Sequence, residues 1–102
     1  MTSGYRVLWT DHALKELEET VEYLELNFSD VEIARLAKLI ESTISNITQN
    51  PSMYPESSQA GGIRRAVVLR FNTLYYRLNF DNRQIEIVSF FSNRKDPDSQ
   101  KS

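Results

Sequence analysis

The spacing of apolar positions along this chain changes twice, and each change marks a new kind of element. Residues 5–9 (Tyr5-Arg6-Val7-Leu8-Trp9) alternate and are rich in β-forming types, which predicts a short first strand. From Leu14 the apolar residues recur at three- and four-residue steps, through Leu17, Val21, Leu24 and Phe28, as on one face of a helix. Thr10 is placed to cap this helix, with Asp11 in the first turn, where the helix dipole favours negative charge. A second stripe runs through Ile33, Ala37, Ile40, Ile44 and Ile47 and stops at Asn50-Pro51. Ser29 followed by Glu32 has the form of a capping box at its start. The break at residues 27–30 is short, so the two helices are expected as an antiparallel hairpin.

After a polar loop over residues 52–62 the spacing becomes two. Residues 63–70, 74–78 and 85–88 predict three strands. With Asp81-Asn82 as a two-residue hairpin loop, Leu78 faces Ile85, Tyr76 faces Ile87, and Arg77 faces Glu86 on the other side. With Asn72-Thr73 as a second such loop, Leu69 pairs with Tyr76 and Val67 with Leu78. The helices then cover Val67, Leu69, Tyr76, Leu78, Ile85 and Ile87, and Arg65 falls on that apolar side. The opposite face carries Arg64, Arg70, Tyr75 and Arg77, with Val88, Phe90 and Arg94 joining them by parity. The predicted fold is α+β: an N-terminal strand, an antiparallel helical hairpin, then a three-stranded antiparallel meander, forming a sandwich open on one side. Residues 1–97 are expected as one domain and residues 98–102 as a disordered tail.

Composition narrows the function classes. The chain has 102 residues, 40% of them hydrophobic and 25% charged, which fits one globular domain with one core rather than a disordered chain. There is no cysteine, no apolar run near the ~20 residues of a membrane helix, and no signal-peptide core, so a cytoplasmic location is expected. The net charge of −2 is unevenly spread. Residues 1–62 hold four Lys/Arg and ten Asp/Glu, whereas residues 63–102 hold eight and four. The basic surface is therefore local, and a pI near 5.4 argues against general nucleic-acid coating or direct sequence-specific DNA binding by this chain alone.

The order of these features resembles the RelE/ParE superfamily of toxins from type II toxin–antitoxin modules. The resemblance rests on the first strand ending in Trp9-Thr10 with Ala13 and Leu17 beyond it, and on the helical hairpin ending in Asn50-Pro51. It continues through Ile63-Arg64-Arg65, Leu74-Tyr75-Tyr76-Arg77 and Ile85-Glu86-Ile87-Val88 to Arg94-Lys95-Asp96-Pro97, covering nearly the whole chain. In the RelE-like ribonucleases an arginine typically stands three residues before the position of Tyr76, where this chain has Thr73. Those enzymes also tend to carry a histidine or tyrosine near the final arginine, and none stands beside Arg94. The ending is more similar to the ParE branch, whose characterised members poison DNA gyrase. The resemblance implies a partner, a cognate antitoxin with an acidic, partly extended segment, and no cofactor.

The residues themselves weigh the same way. Cutting RNA through its 2′-oxygen needs a base, cations for the developing phosphorane charge and an acid for the leaving oxygen. Arg64, Arg70 and Arg94 supply cations, but Tyr75 is the one titratable candidate beside them, and a phenol is a poor base at neutral pH. Arg77 is expected at least to pair with Glu86. Phe90 beside arginines suits a protein partner better than a phosphate backbone. Arg64, Arg70, Tyr75, Arg77, Phe90 and Arg94 are thus the candidate target-binding set, and Arg64, Arg70, Tyr75 and Arg94 the catalytic set if the chain is a ribonuclease. His12 reads as a surface histidine, the acidic helix face (Glu16, Glu18, Glu19, Glu22, Glu25) as a solvated exterior, and no metal site is expected. Three readings follow: a ParE-like gyrase inhibitor, a RelE-like ribosome-dependent endoribonuclease, and a non-toxic relative that retains antitoxin binding.

Overall fold

The computed structural model describes residues 5–57, 61–69 and 72–92. Its elements are β1 (Arg6–Trp9), α1 (Asp11–Asn27), α2 (Asp30–Gln49), β2 (Ile63–Leu69), β3 (Asn72–Asn79) and β4 (Gln84–Ser92), in the predicted order. The four strands form one sheet in the order β1-β4-β3-β2. β1 lies parallel to β4, and the other neighbours are antiparallel.

Thr10 caps α1 as expected, its Oγ1 accepting the Ala13 N–H at 3.1 Å. The capping box at α2 does not form. Ser29 is the N-cap but its side chain makes no cap hydrogen bond, because the Glu32 N–H is taken by the Ser29 backbone carbonyl at 3.1 Å. Asn50 closes α2 through its N–H to the Asn46 carbonyl, and Pro51 prevents continuation.

The core is Ala13, Leu24, Leu36 and Ile47 from the helices, set against Ala66, Leu74, Tyr76, Ile85, Ile87 and Phe90. Both helices are rolled relative to the predicted stripes. Thr20 and Thr43 are buried, which their hydroxyls allow by donating to the carbonyls of Glu16 and Leu39 one turn back. Leu17, Val21, Ile40 and Ile44 are consequently only half-buried, while Leu14, Phe28 and Ala37 are exposed.

The β3–β4 register is as predicted, with Leu78 opposite Ile85, Tyr76 opposite Ile87 and Arg77 opposite Glu86. Residues 80–83 make the turn, where the Arg83 N–H reaches the Phe80 carbonyl and Arg83 itself takes a left-handed φ of 53°. The β2–β3 register differs by an odd number of residues. Arg64 pairs with Tyr76, Ala66 with Leu74 and Val67 with Thr73, because Asn72 and Thr73 belong to β3 rather than to a loop. Up to Val67 this odd shift inverts the faces of β2, while a bulge between Val67 and Leu69 returns Leu69 to the core side, opposite Asn72, as expected. Ala66 is fully buried, and Val67, expected in the core, is 57% exposed.

A bulge in β4 produces the second inversion. Tyr76 pairs with Ile87 but Tyr75 pairs with Ser89, so Val88 is the additional residue. Beyond it Phe90 turns inward opposite Leu74, with no exposed surface, and Phe91 stands opposite Thr73, partly exposed.

Candidate functional site

The open face of the sheet is set by these registers. β3 contributes Tyr75 and Arg77, β2 contributes Ile63, Arg65 and Val67, and the alternation of β1 adds Arg6 and Leu8. Arg65 stands directly opposite Tyr75, and Ile63 opposite Arg77. Arg77 is engaged by Glu86 across the strands: Nη2 lies 2.6 Å and Nε 2.8 Å from the same carboxylate oxygen. Val67 and Leu8 place exposed apolar surface beside these cations.

Of the expected set, Tyr75 and Arg77 are on this face. Arg64 is not. It lies under the helix side, where its guanidinium donates to the Tyr54 carbonyl at 2.6 Å and the Ser52 carbonyl at 3.4 Å, with the Glu56 carboxylate 3.8 Å away. Its neighbour Arg65, expected on the apolar side, takes the exposed position instead. Phe90 is also removed from the candidate surface, since the bulge packs it against Trp9 with ring centroids 6.5 Å apart. Arg70 and Arg94 lie outside the described residues.

The arginine on the covered side has a structural task. Residues 51–57 follow α2 and are tied to β2 by the Arg65 N–H to the Pro55 carbonyl and the Ser57 N–H to the Ile63 carbonyl, and Arg64 gathers two further carbonyls, those of Ser52 and Tyr54. Tyr76 holds the same segment by donating its hydroxyl to the Pro51 carbonyl at 2.8 Å, and its ring meets Tyr54 edge-on. Burial pushes the Tyr76 phenol up to about 12, against the opposing pull of the nearby Arg64 charge.

Glu16 is a second residue whose role the sequence concealed. β1 ends opposite Ile87, leaving the edge of β4 beyond it without a strand partner. Glu16 Oε1 occupies that edge, accepting from the Phe90 N–H at 2.8 Å and the Ser89 hydroxyl at 2.7 Å. His12, largely exposed, lies 3.3 Å from the same oxygen. A carboxylate expected in solvent therefore secures the bulge that selects which phenylalanine faces out.

The arrangement can grip an anionic or mixed apolar–anionic surface. Among the described residues no group of acidic, cysteine or histidine side chains could hold a metal ion. The one described carboxylate paired into the open face, Glu86, is already bound by Arg77. No helix is long and apolar enough to cross a membrane among the described residues. Between the two helices, Leu17, Val21, Ile33, Leu36, Ala37 and Ile40, with Glu41, line a groove of about 250 Å³.

Residues 7–97 match the family model of the ParE toxin of type II toxin–antitoxin systems, parDE. The chain belongs to the ParE toxin family. Solved structures agree on the fold. A chain of the chromosomal ParDE toxin–antitoxin system from P. aeruginosa superposes with a TM-score of 0.72 at 14% identity, covering 88% of this chain and 97% of that one. The YoeB/ParE toxin from Agrobacterium tumefaciens gives 0.64 at 15% identity, covering 85% and 96%. A chain of the E. coli DinJ–YafQ toxin–antitoxin complex gives 0.59 at 16% identity, covering 90% and 96%. Among curated proteins none matches in sequence.

Proposed function

We propose that this ParE-family toxin acts by binding DNA gyrase through its open sheet face, without catalysing a reaction, and that a cognate antitoxin neutralises it in the cytoplasm. The observation that carries this reading is the composition of that face: Arg65, Arg77 and Tyr75 beside exposed Val67 and Leu8, with its described carboxylate tied to Arg77. Arginines stay protonated at neutral pH, so they hold anions but cannot remove a proton from a 2′-hydroxyl. Thr73 occupies the place where a RelE-like enzyme would carry a further arginine, and it is nearly buried. Apolar side chains interleaved with arginines favour a protein target over a bare phosphate backbone.

The inter-helix groove supports the second half of the reading. It offers an apolar seat of the kind an amphipathic segment fills, and DinJ–YafQ and ParDE are themselves toxin–antitoxin systems. An acidic extension of the same antitoxin would reach the arginines of the open face, so rising salt should weaken the complex.

The deciding experiment assays purified protein in parallel on gyrase-driven supercoiling and on translating ribosomes. The expected result is inhibited supercoiling and intact messages. Codon-positioned RNA cuts that vanish in Tyr75→Phe, with gyrase unaffected, would instead make the chain a ribosome-dependent endoribonuclease.

A further inference from the structure

The turn of the helical hairpin bears a surface that neither the open sheet face nor the groove uses. Leu26 is 85% exposed, Val31 70% and Phe28 51%, and Tyr23 completes the patch with its ring 6.1 Å from that of Phe28. They flank the short break between α1 and α2, so four large apolar side chains are exposed around one end of the hairpin. The fold does not require Leu26 or Val31 there, since neither packs against the core. Exposed apolar side chains concentrated in this way mark contact sites.

The charge around the patch selects its occupant. Within four residues of these side chains the sequence holds five carboxylates (Glu19, Glu22, Glu25, Asp30 and Glu32) against one cation, Arg35. Glu22 and Glu25 are exposed within a turn of Leu26, and Asp30 directly precedes Val31. A second copy of this chain would bring the same carboxylates against these, and an acidic antitoxin segment or an anionic lipid surface would be repelled likewise. We infer that the hairpin turn docks a partner protein through a cationic segment carrying an apolar anchor, a contact separate from the proposed gyrase and antitoxin surfaces. The apolar side chains supply the affinity and the carboxylates supply the choice of partner.

The test uses the whole protein and two labelled helical peptides, each with leucines on one face and either lysines or glutamates on the other. At near-physiological salt the lysine peptide should bind and the glutamate peptide should not. Leu26→Ser combined with Val31→Ser should weaken lysine-peptide binding about tenfold or more while leaving the unfolding midpoint unchanged, as suits residues this exposed. Glu22→Gln combined with Glu25→Gln should weaken it too and flatten its salt dependence. The inference is overturned if the lysine peptide fails to bind, if both peptides bind alike, or if the Leu26/Val31 substitutions leave affinity intact. It is equally overturned by self-association of the protein that those two substitutions abolish, which would make a second copy the occupant.

Discussion

Under the helices Arg64 lies against the carbonyls of Ser52 and Tyr54, and one residue on, across the sheet, Arg65 stands exposed opposite Tyr75. The same contrast runs through the aromatic pairs. Tyr76 is buried and bonded to Pro51 while Tyr75 is half-exposed, and Phe90 is buried while Phe91 is partly in solvent. Adjacent residues of one type thus divide between holding the fold together and standing on the open face. Two local devices make the division: the register of β2 on β3, and the bulge in β4 that Glu16 secures. Residue type alone does not distinguish the roles; the face does.

The largest expected effect breaks the covered side. Phe90→Ala removes a fully buried ring from between Trp9 and Leu74 and should cost about 3–5 kcal/mol, read from denaturant unfolding. Phe91→Ala, on the other side of the bulge, should cost far less. If the two cost the same, the bulge does not divide them.

Tyr76 gives the covered side a pH signature. Its folded pKa is raised to about 12 by burial, so the fold favours the neutral phenol over the phenolate. The contribution is fully present below pH ~10, the ordinary tyrosine value, and is lost as the pH rises towards ~12. The loss should amount to about 2–3 kcal/mol at the top of that window. Tyr76→Phe should lower stability at neutral pH by the lost Pro51 hydrogen bond yet flatten the alkaline decline relative to wild type. Parallel alkaline unfolding curves for the two proteins would refute the assignment.

The adjacent arginines sharpen the comparison further. Arg64→Ala strands two loop carbonyls and should cost about 1–3 kcal/mol. Arg65→Ala should stay within about 0.5 kcal/mol, since Arg65 is exposed. Arg77→Ala breaks an ion pair whose partners are both substantially exposed, and should cost less than about 1 kcal/mol, declining with salt.

These residues also show what the sequence could and could not reveal. The β3–β4 register was legible because a two-residue turn at Asp81-Asn82 and an Arg77–Glu86 pair both specify it. The β2 register was not, because Ala66, Val67, Val68 and Leu69 are consecutive apolar residues. Either parity presents an apolar face, so hydrophobic pattern cannot choose between them. The bulge had one faint signal: an unbroken alternation from Ile87 would put Ser89 on the core side and Phe90 in solvent, and the slip reverses both. Helix existence and the Thr10 cap followed from local signals. The roll of the helices did not, since Thr20 and Thr43 look polar in sequence and become tolerable inside only by bonding to their own helix backbone. Of the candidate site, Tyr75 and Arg77 were placed correctly, and Arg64 and Phe90 were misplaced by these two register effects. Glu16 carried no sequence signal apart from the acidic face to which it belongs.

The most direct test of the division between faces compares Arg65→Glu with Arg77→Glu against Arg64→Gln in gyrase supercoiling, alongside each protein's unfolding curve. The account predicts that the open-face double variant loses inhibition while keeping its unfolding midpoint. Arg64→Gln should lower the midpoint yet inhibit normally under conditions where it remains folded. Full inhibition by the open-face variant, or its loss in a folded Arg64→Gln protein, would contradict it.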